Sequence, residues 1–194
     1  MKPDLLRQLL GRLLDLPVAR CETCPGLPPT IARSLHRKTQ VLEYRQAEEI
    51  RDAFSRYGVR YLFLGKSGAI LLGYPDTTQD ADLFMDKSQE NGAAAVNALR
   101  ELGFALSDEQ AAEIIHGKDF VQLKNGPFDL DLIFAPDGIE KFEDAWHRRS
   151  EVQGFPVCSI DDIIASKRAA NRPKDRESIV RLESFRDYIR SKHD

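Results

Sequence analysis

The sequence predicts an α+β protein, and three observations predict it. Apolar runs of strand length crowd the middle of the chain, at 59–64, 80–85, 120–124 and 128–134. Residues at helical spacing fill the regions before and after them. Asn125-Gly126 separates two of the apolar runs in the manner of a tight hairpin turn. A strand-rich centre between helical ends reads as α+β rather than as a regular β-α alternation.

The elements follow in chain order. Leu5, Leu6, Leu9, Leu10, Leu13 and Leu14 predict an amphipathic helix over 3–16. It is read as docking on its own domain, because Asp4 and Asp15 dilute the basic face that a membrane or partner role would use. Pro17 ends it, and Cys24-Pro25-Gly26-Leu27-Pro28-Pro29 is a loop or linker. The chain therefore divides into 1–38, an N-terminal helix with a Pro-rich linker, and 39–194, the main domain with its C-terminal helices. In that domain a helix from Thr39 to Tyr57 turns Val41, Leu42, Ile50 and Phe54 inward and stops at Gly58. Val59–Leu64 reads as a buried strand, Ser67–Leu72 as a short helix, and Asp80–Met85 as a second strand. Residues 89–102 form a helix closed by Gly103; Phe104–Leu106 is a brief extended segment, and Asp108–Ile115 is helical. Phe120–Lys124 and Phe128–Phe134 form the hairpin, and helices at 137–149, 160–170 and 174–192 complete the chain.

Composition bounds the rest. A chain of 194 residues with 42% apolar and 30% charged residues suits one soluble domain with a sizeable core and an appended helical piece. The formal net charge of −3 does not suggest a protein that coats nucleic acid, but the charge is uneven. Residues 167–192 carry nine basic side chains against four acidic ones, and the first forty residues are also basic. Cationic ends around an acidic centre suit a polyanionic substrate, and equally suit solvated helix faces. Three cysteines give no disulfide framework and fit a reducing cytoplasm. Cys21-x-x-Cys24 with His36 or Cys158 would make a zinc site, but no second pair of standard spacing exists and free thiols are expected. No signal peptide or membrane span is expected.

The chemistry concentrates in Leu62–Met85. An apolar strand runs into Gly65-Lys66-Ser67-Gly68, and Asp80 and Asp82 follow at i and i+2. Alternate residues of a strand share a face, so these carboxylates sit side by side and repel unless a cation lies between them. Downstream of a Gly-rich turn able to admit phosphate, such a pair reads as a divalent-metal and nucleotide site. Phe128-Asp129-Leu130-Asp131-Leu132-Ile133-Phe134 again alternates acid with apolar residues. Beside the first strand it would bring a third carboxylate, enough to hold two hard cations with NTP phosphates and water. Asp131 should complete the cluster and act as, or position, the base; Asp129 shares its face and could serve instead. Gly65 would let the backbone approach a triphosphate, and Ser67 could donate to a phosphate oxygen, as could the N–H groups that open the short helix. Lys66 reaches a phosphate or faces solvent. Thr78 contacts nucleotide or caps the turn. His116 and His147 have no partner pattern, and Phe142 and Trp146 share one helical face as core.

The order of strand, G-x-S-G turn, helix, D-x-D strand and later LDLIF strand resembles the nucleotidyltransferase superfamily shared by kanamycin nucleotidyltransferase and the beta-type polymerases. Gly73-Tyr74-Pro75 with Thr78 before the D-x-D is similar to the AbiEii/MenT group of toxin nucleotidyltransferases. So is the run from Asp162-Ile163-Ile164-Ala165-Ser166-Lys167 to Arg172-Pro173-Lys174-Asp175. Two positions depart from the pattern: Lys66 intervenes between Gly65 and Ser67, and Asp76 stands where relatives often carry Arg. Over residues 40–190 the resemblance implies a nucleotidyltransferase fold, a mixed central sheet flanked by helices with helical N- and C-terminal extensions. It implies Mg²⁺ or Mn²⁺ on Asp80, Asp82 and Asp131, with an NTP as substrate. Lys167 would contact phosphate and stabilise charge on the transferring nucleotide, Arg172 would lie in the nucleotide-binding turn, and Asp175 would orient the lysine or anchor that turn. The acceptor implied is an RNA 3′ end such as tRNA, or a protein hydroxyl, with a cognate antitoxin as partner. An antibiotic nucleotidyltransferase and a catalytically silent nucleotide-binding module are the rival expectations.

Overall fold

The computed structural model describes residues 42–192, so the expected N-terminal helix, the linker, Cys21, Cys24 and the boundary near residue 38 lie outside the described residues. The first helix, α1 (Tyr44–Arg56), starts later than its periodicity predicts because a capping box fixes its entry. Glu43 takes the N–H of Gln46, and the Gln46 side chain accepts the N–H of Glu43 at 2.8 Å. Strand β1 (Tyr61–Leu64) runs straight into α2 (Gly65–Leu71), and β2 (Asp80–Met85) begins and ends where the alternation predicts. Helices α3 (Gln89–Glu101) and α4 (Asp108–Ile115) start on Ser88 and Ser107, whose hydroxyls accept the N–H groups of Asn91 and Gln110. The extended segment expected at 104–106 is not a strand; Phe104 folds back to hydrogen-bond the Leu99 carbonyl.

The hairpin forms as β3 (Phe120–Leu123) and β4 (Asp129–Ile133). Helix α5 (Phe142–Arg148) is shorter than expected, because Gly138 holds φ +73° and the chain turns before it. Strands β5 (Ser150–Val152) and β6 (Phe155–Val157) were not expected. They form a hairpin around Gln153 (φ 51°) and Gly154 (φ 80°), a two-residue turn with both central residues at positive φ. Helices α6 (Ile160–Ala170) and α7 (Pro173–Arg190) meet at Asn171, which takes the left-handed conformation, and Pro173 opens α7.

The fold is α+β: a mixed six-stranded sheet in the order β3-β4-β2-β1-β6-β5, flanked by seven helices among the described residues. β1 is antiparallel to β2 and parallel to β6, while β2 is parallel to β4. Because side chains alternate, each face has its own core. Tyr61, Phe63, Leu83, Leu130 and Leu132 join Ile50, Phe54, Leu99 and Ile114 from α1, α3 and α4. On the other face Leu62, Leu64 and Phe84 join Phe142, Ile163, Ile164 and Leu182 from α5, α6 and α7. Burial of each such large side chain contributes about 1.5–3 kcal/mol. This second face changes character at the start of β2 and β4, where Asp80, Asp82, Asp129 and Asp131 replace the apolar residues. No helix among the described residues is long and apolar enough to cross a membrane.

Candidate functional site

The parallel register of β2 and β4 places Asp80 opposite Asp129 and Asp82 opposite Asp131. Side chains at directly opposed positions share a face, so four acids gather at one end of the sheet. Three of them converge: Asp80, Asp82 and Asp131 each offer a carboxylate oxygen, and these atoms lie within 4.8 Å of one another. Asp129 stands beside the group and adds to its negative field. The choice between Asp129 and Asp131 is thus resolved by geometry in favour of Asp131 as the cluster's third member.

Each carboxylate is held by its own donor. The Thr78 hydroxyl donates to Asp80 Oδ1 at 2.8 Å, and the Thr78 carbonyl is tied to Leu42 N–H at 2.7 Å. Gln122 Nε2 donates to Asp131 Oδ1 at 3.0 Å from the outer strand β3. The backbone N–H of Lys66, at the opening of α2, favours the charged form of Asp82. Enclosure at this crowded edge, and then the charges of Asp80 and Asp131, push the Asp82 carboxyl up to about 7. Lys167 and the Lys66 N–H act in the opposite sense. Burial likewise raises the Asp131 carboxyl, with the Gln122 amide opposing it.

The Gly-rich turn serves this cluster directly. Gly65 holds φ +60°, and a Cβ built there would overlap Asp82 Oδ2 and come within 2.8 Å of Cγ. Only glycine leaves room for the carboxylate. Ser67, expected to offer its hydroxyl to a phosphate oxygen, is buried and donates to the Leu64 carbonyl at 3.0 Å. It also accepts the Asp82 N–H at 3.0 Å. Its one hydrogen is therefore committed to pinning the start of α2 against β2. The Lys66 ammonium lies 3.4 Å from the Asp76 carboxylate, on a half-exposed side chain. Asp76 is thus the immediate partner that the sequence did not assign to that lysine.

Across from the sheet, α6 and α7 bring a cation within electrostatic range of Asp82. Lys167 Nζ lies 3.3 Å from Asp175 Oδ1, both side chains being largely buried. Arg172 approaches Asp175 Oδ2 at 3.8 Å from the exposed turn. The expected pairing of Lys167 with Asp175 is present, and Pro173 fixes it by starting α7 so that Asp175 falls in the first turn. The wider basic run is less available than its composition suggests. Arg168 pairs with Glu183, Arg181 with Glu177 at 3.2 Å, and Arg190 with Asp161 at 2.7 Å.

Other candidates take structural roles. Phe142 and Trp146 stack, with centroids 5.7 Å apart, and Arg149 lies 4.1 Å over the indole. His116 Nδ1 lies 2.7 Å from its own helix's Ala112 carbonyl. Cys158 is buried, with its thiol pushed up by that burial. Comparison of the chain with protein-family models and with curated proteins finds no match.

Proposed function

We propose that this chain is a metal-dependent nucleotidyltransferase, built on that superfamily's fold, which moves NMP from an NTP to an acceptor hydroxyl. The observation that carries the reading is the meeting of Asp80, Asp82 and Asp131 within 4.8 Å beside the Gly65 turn and Lys167. The donor set fits the group: all-oxygen, anionic ligands select hard cations such as Mg²⁺ or Mn²⁺. The Asp82 carboxyl is raised first by its enclosure and then by the charges of Asp80 and Asp131, and a cation among the three acids would relieve the second effect. When bound, Mg²⁺ would neutralise phosphate charge and acidify the acceptor hydroxyl.

The chain's own residues divide the remaining work. Asp80, Asp82 and Asp131 hold the cations, and Asp131 takes or directs the acceptor's proton. Lys167, steadied by Asp175, supplies positive charge to the oxygens of the α-phosphate in the transition state. Lys66 can leave Asp76 for the β- and γ-phosphates, and Arg172 borders the same space from its exposed turn. Thr78 orients Asp80, and Gly65 and Ser67 shape the pocket wall around Asp82.

The acceptor and the biological setting rest on the resemblance of Gly73-Tyr74-Pro75, Thr78 and the K-x4-R-x-K-D run to the toxin group. On that footing the acceptor is a tRNA 3′ end or a protein hydroxyl, in the cytoplasm, with a cognate antitoxin as partner. The test is incubation with each NTP labelled on its α-phosphate, Mg²⁺ and total RNA, beside an Asp80→Ala/Asp82→Ala variant. Label entering RNA with the unmodified chain alone supports the tRNA-directed reading. Label on the protein itself points to a protein acceptor, and NTP binding without any transfer would establish the silent module instead.

A further inference from the structure

We propose that Gln122 is a positioning residue for the third carboxylate, and this rests on the nucleotidyltransferase reading above. Asp80 is oriented by a threonine two residues before it, and Asp82 by the backbone that opens α2. Only the first donor is local to β2; Lys66 is separated from Asp82 by the rest of α2 and the turn after it. Asp131 follows only Leu130 and Asp129 in β4 and has no such local donor at hand. Its donor comes from the neighbouring strand: Gln122 is its register partner in the antiparallel β3–β4 pair, and Nε2 reaches Oδ1 at 3.0 Å.

The chemistry of the partner matters. Asp131 is buried to 8% exposure, and a buried carboxylate with a free rotor would turn to whichever neighbour repels it least. The amide fixes one oxygen from the outer side and leaves the rest of the group for the Asp80–Asp82 side. Because the donor is neutral, it orients the acid without neutralising the charge that a cation needs. A lysine here would compete with the metal, and a glutamate would add a further repelling acid. Val121 and Leu123 on either side point into the core and fix the strand, while Gln122 is exposed on the face that carries Asp131 and can be replaced without opening a cavity.

The test compares the unmodified chain with Gln122→Met, which keeps length and loses the donor, and with Gln122→His, which restores a ring N–H. Mn²⁺ affinity of the nucleotide-free protein is read by electron paramagnetic resonance, and turnover is followed across a Mn²⁺ titration. Gln122→Met is expected to weaken Mn²⁺ binding roughly 10-fold. It should lower turnover at limiting Mn²⁺, recover at high Mn²⁺, and leave the melting temperature and the KM for NTP near those of the unmodified chain. Gln122→His should regain part of the affinity. Equal Mn²⁺ affinity in Gln122→Met and the unmodified chain overturns the inference and leaves the proposed reaction standing. An unmodified chain that binds no Mn²⁺ overturns both.

Discussion

Gly65 and Asp82 occupy one another's space: the carboxylate of Asp82 sits where a side chain at 65 would begin. The first prediction follows from that relationship. Gly65→Ala must either displace Asp82 or leave its φ of +60°, which costs alanine about 1–2 kcal/mol by itself. Divalent-cation binding and nucleotide transfer should fall together, by roughly 100-fold or more if the carboxylate is expelled. Isothermal titration with Mn²⁺ and a labelled-NTP assay on the same preparation would check it. Full Mn²⁺ affinity in Gly65→Ala would mean the turn is less rigid than its geometry states.

Asp82 should make the metal-free protein lose stability as pH rises. Its folded-state carboxyl, near 7, lies above the ordinary carboxylate value, so the folded chain holds a proton that the unfolded chain releases. The contribution is complete below about pH 4, shrinks as pH rises, and is gone above about pH 7. Asp82→Asn should flatten that slope and raise metal-free stability at pH 8 by roughly 1–4 kcal/mol, each tenfold change in proton affinity being worth about 1.4 kcal/mol. Added Mn²⁺ should stabilise the unmodified chain strongly at pH 8 and weakly at pH 5. Melting curves followed through Trp146 fluorescence, with and without chelator, read both effects.

Thr78→Val removes the donor to Asp80 while keeping the shape of the side chain. The expected loss is about 10-fold in Mn²⁺ affinity, with a stability cost near 1 kcal/mol. If transfer falls while Mn²⁺ affinity holds, Thr78 contacts nucleotide rather than steadying the acid.

Lys167→Ala should lower the maximal rate by roughly 100-fold or more, with a smaller effect on Mn²⁺ binding. Asp175→Ala should be the more damaging change for the fold. It leaves Lys167 largely buried without its partner and removes the acid from the first turn of α7, a cost of about 1–3 kcal/mol. Comparing melting temperatures with single-turnover rates for the two variants separates the roles. Equal rate losses at equal stability would contradict the division.

What could be read from the chain depended on how local the cause was. The bounds of β2 and the shared face of Asp80 and Asp82 follow from alternation within six residues, and the structure keeps them. The choice between Asp129 and Asp131 was not legible, because it depends on the register between β2 and β4. The partners of the Ser67 hydroxyl were not legible for the same kind of reason. Its acceptor at Leu64 and its donor at Asp82 meet only once β1 and β2 have paired. β5 and β6 carry little sequence signal because each has three residues, one includes Pro156, and Gln153-Gly154 is a weaker hairpin signal than Asn125-Gly126.

The side-by-side pairing of β2 with β4 also says when, in the life of the polypeptide, the acids can meet. Two helices and a strand separate the two segments along the chain, and closing so long an excursion is slow compared with forming a hairpin or a helix. A half-folded polypeptide therefore lacks the third acid of the cluster. On the proposed reading, uptake of a divalent cation would be a gauge of completed folding, and on a stopped-flow timescale it should trail the appearance of helical signal.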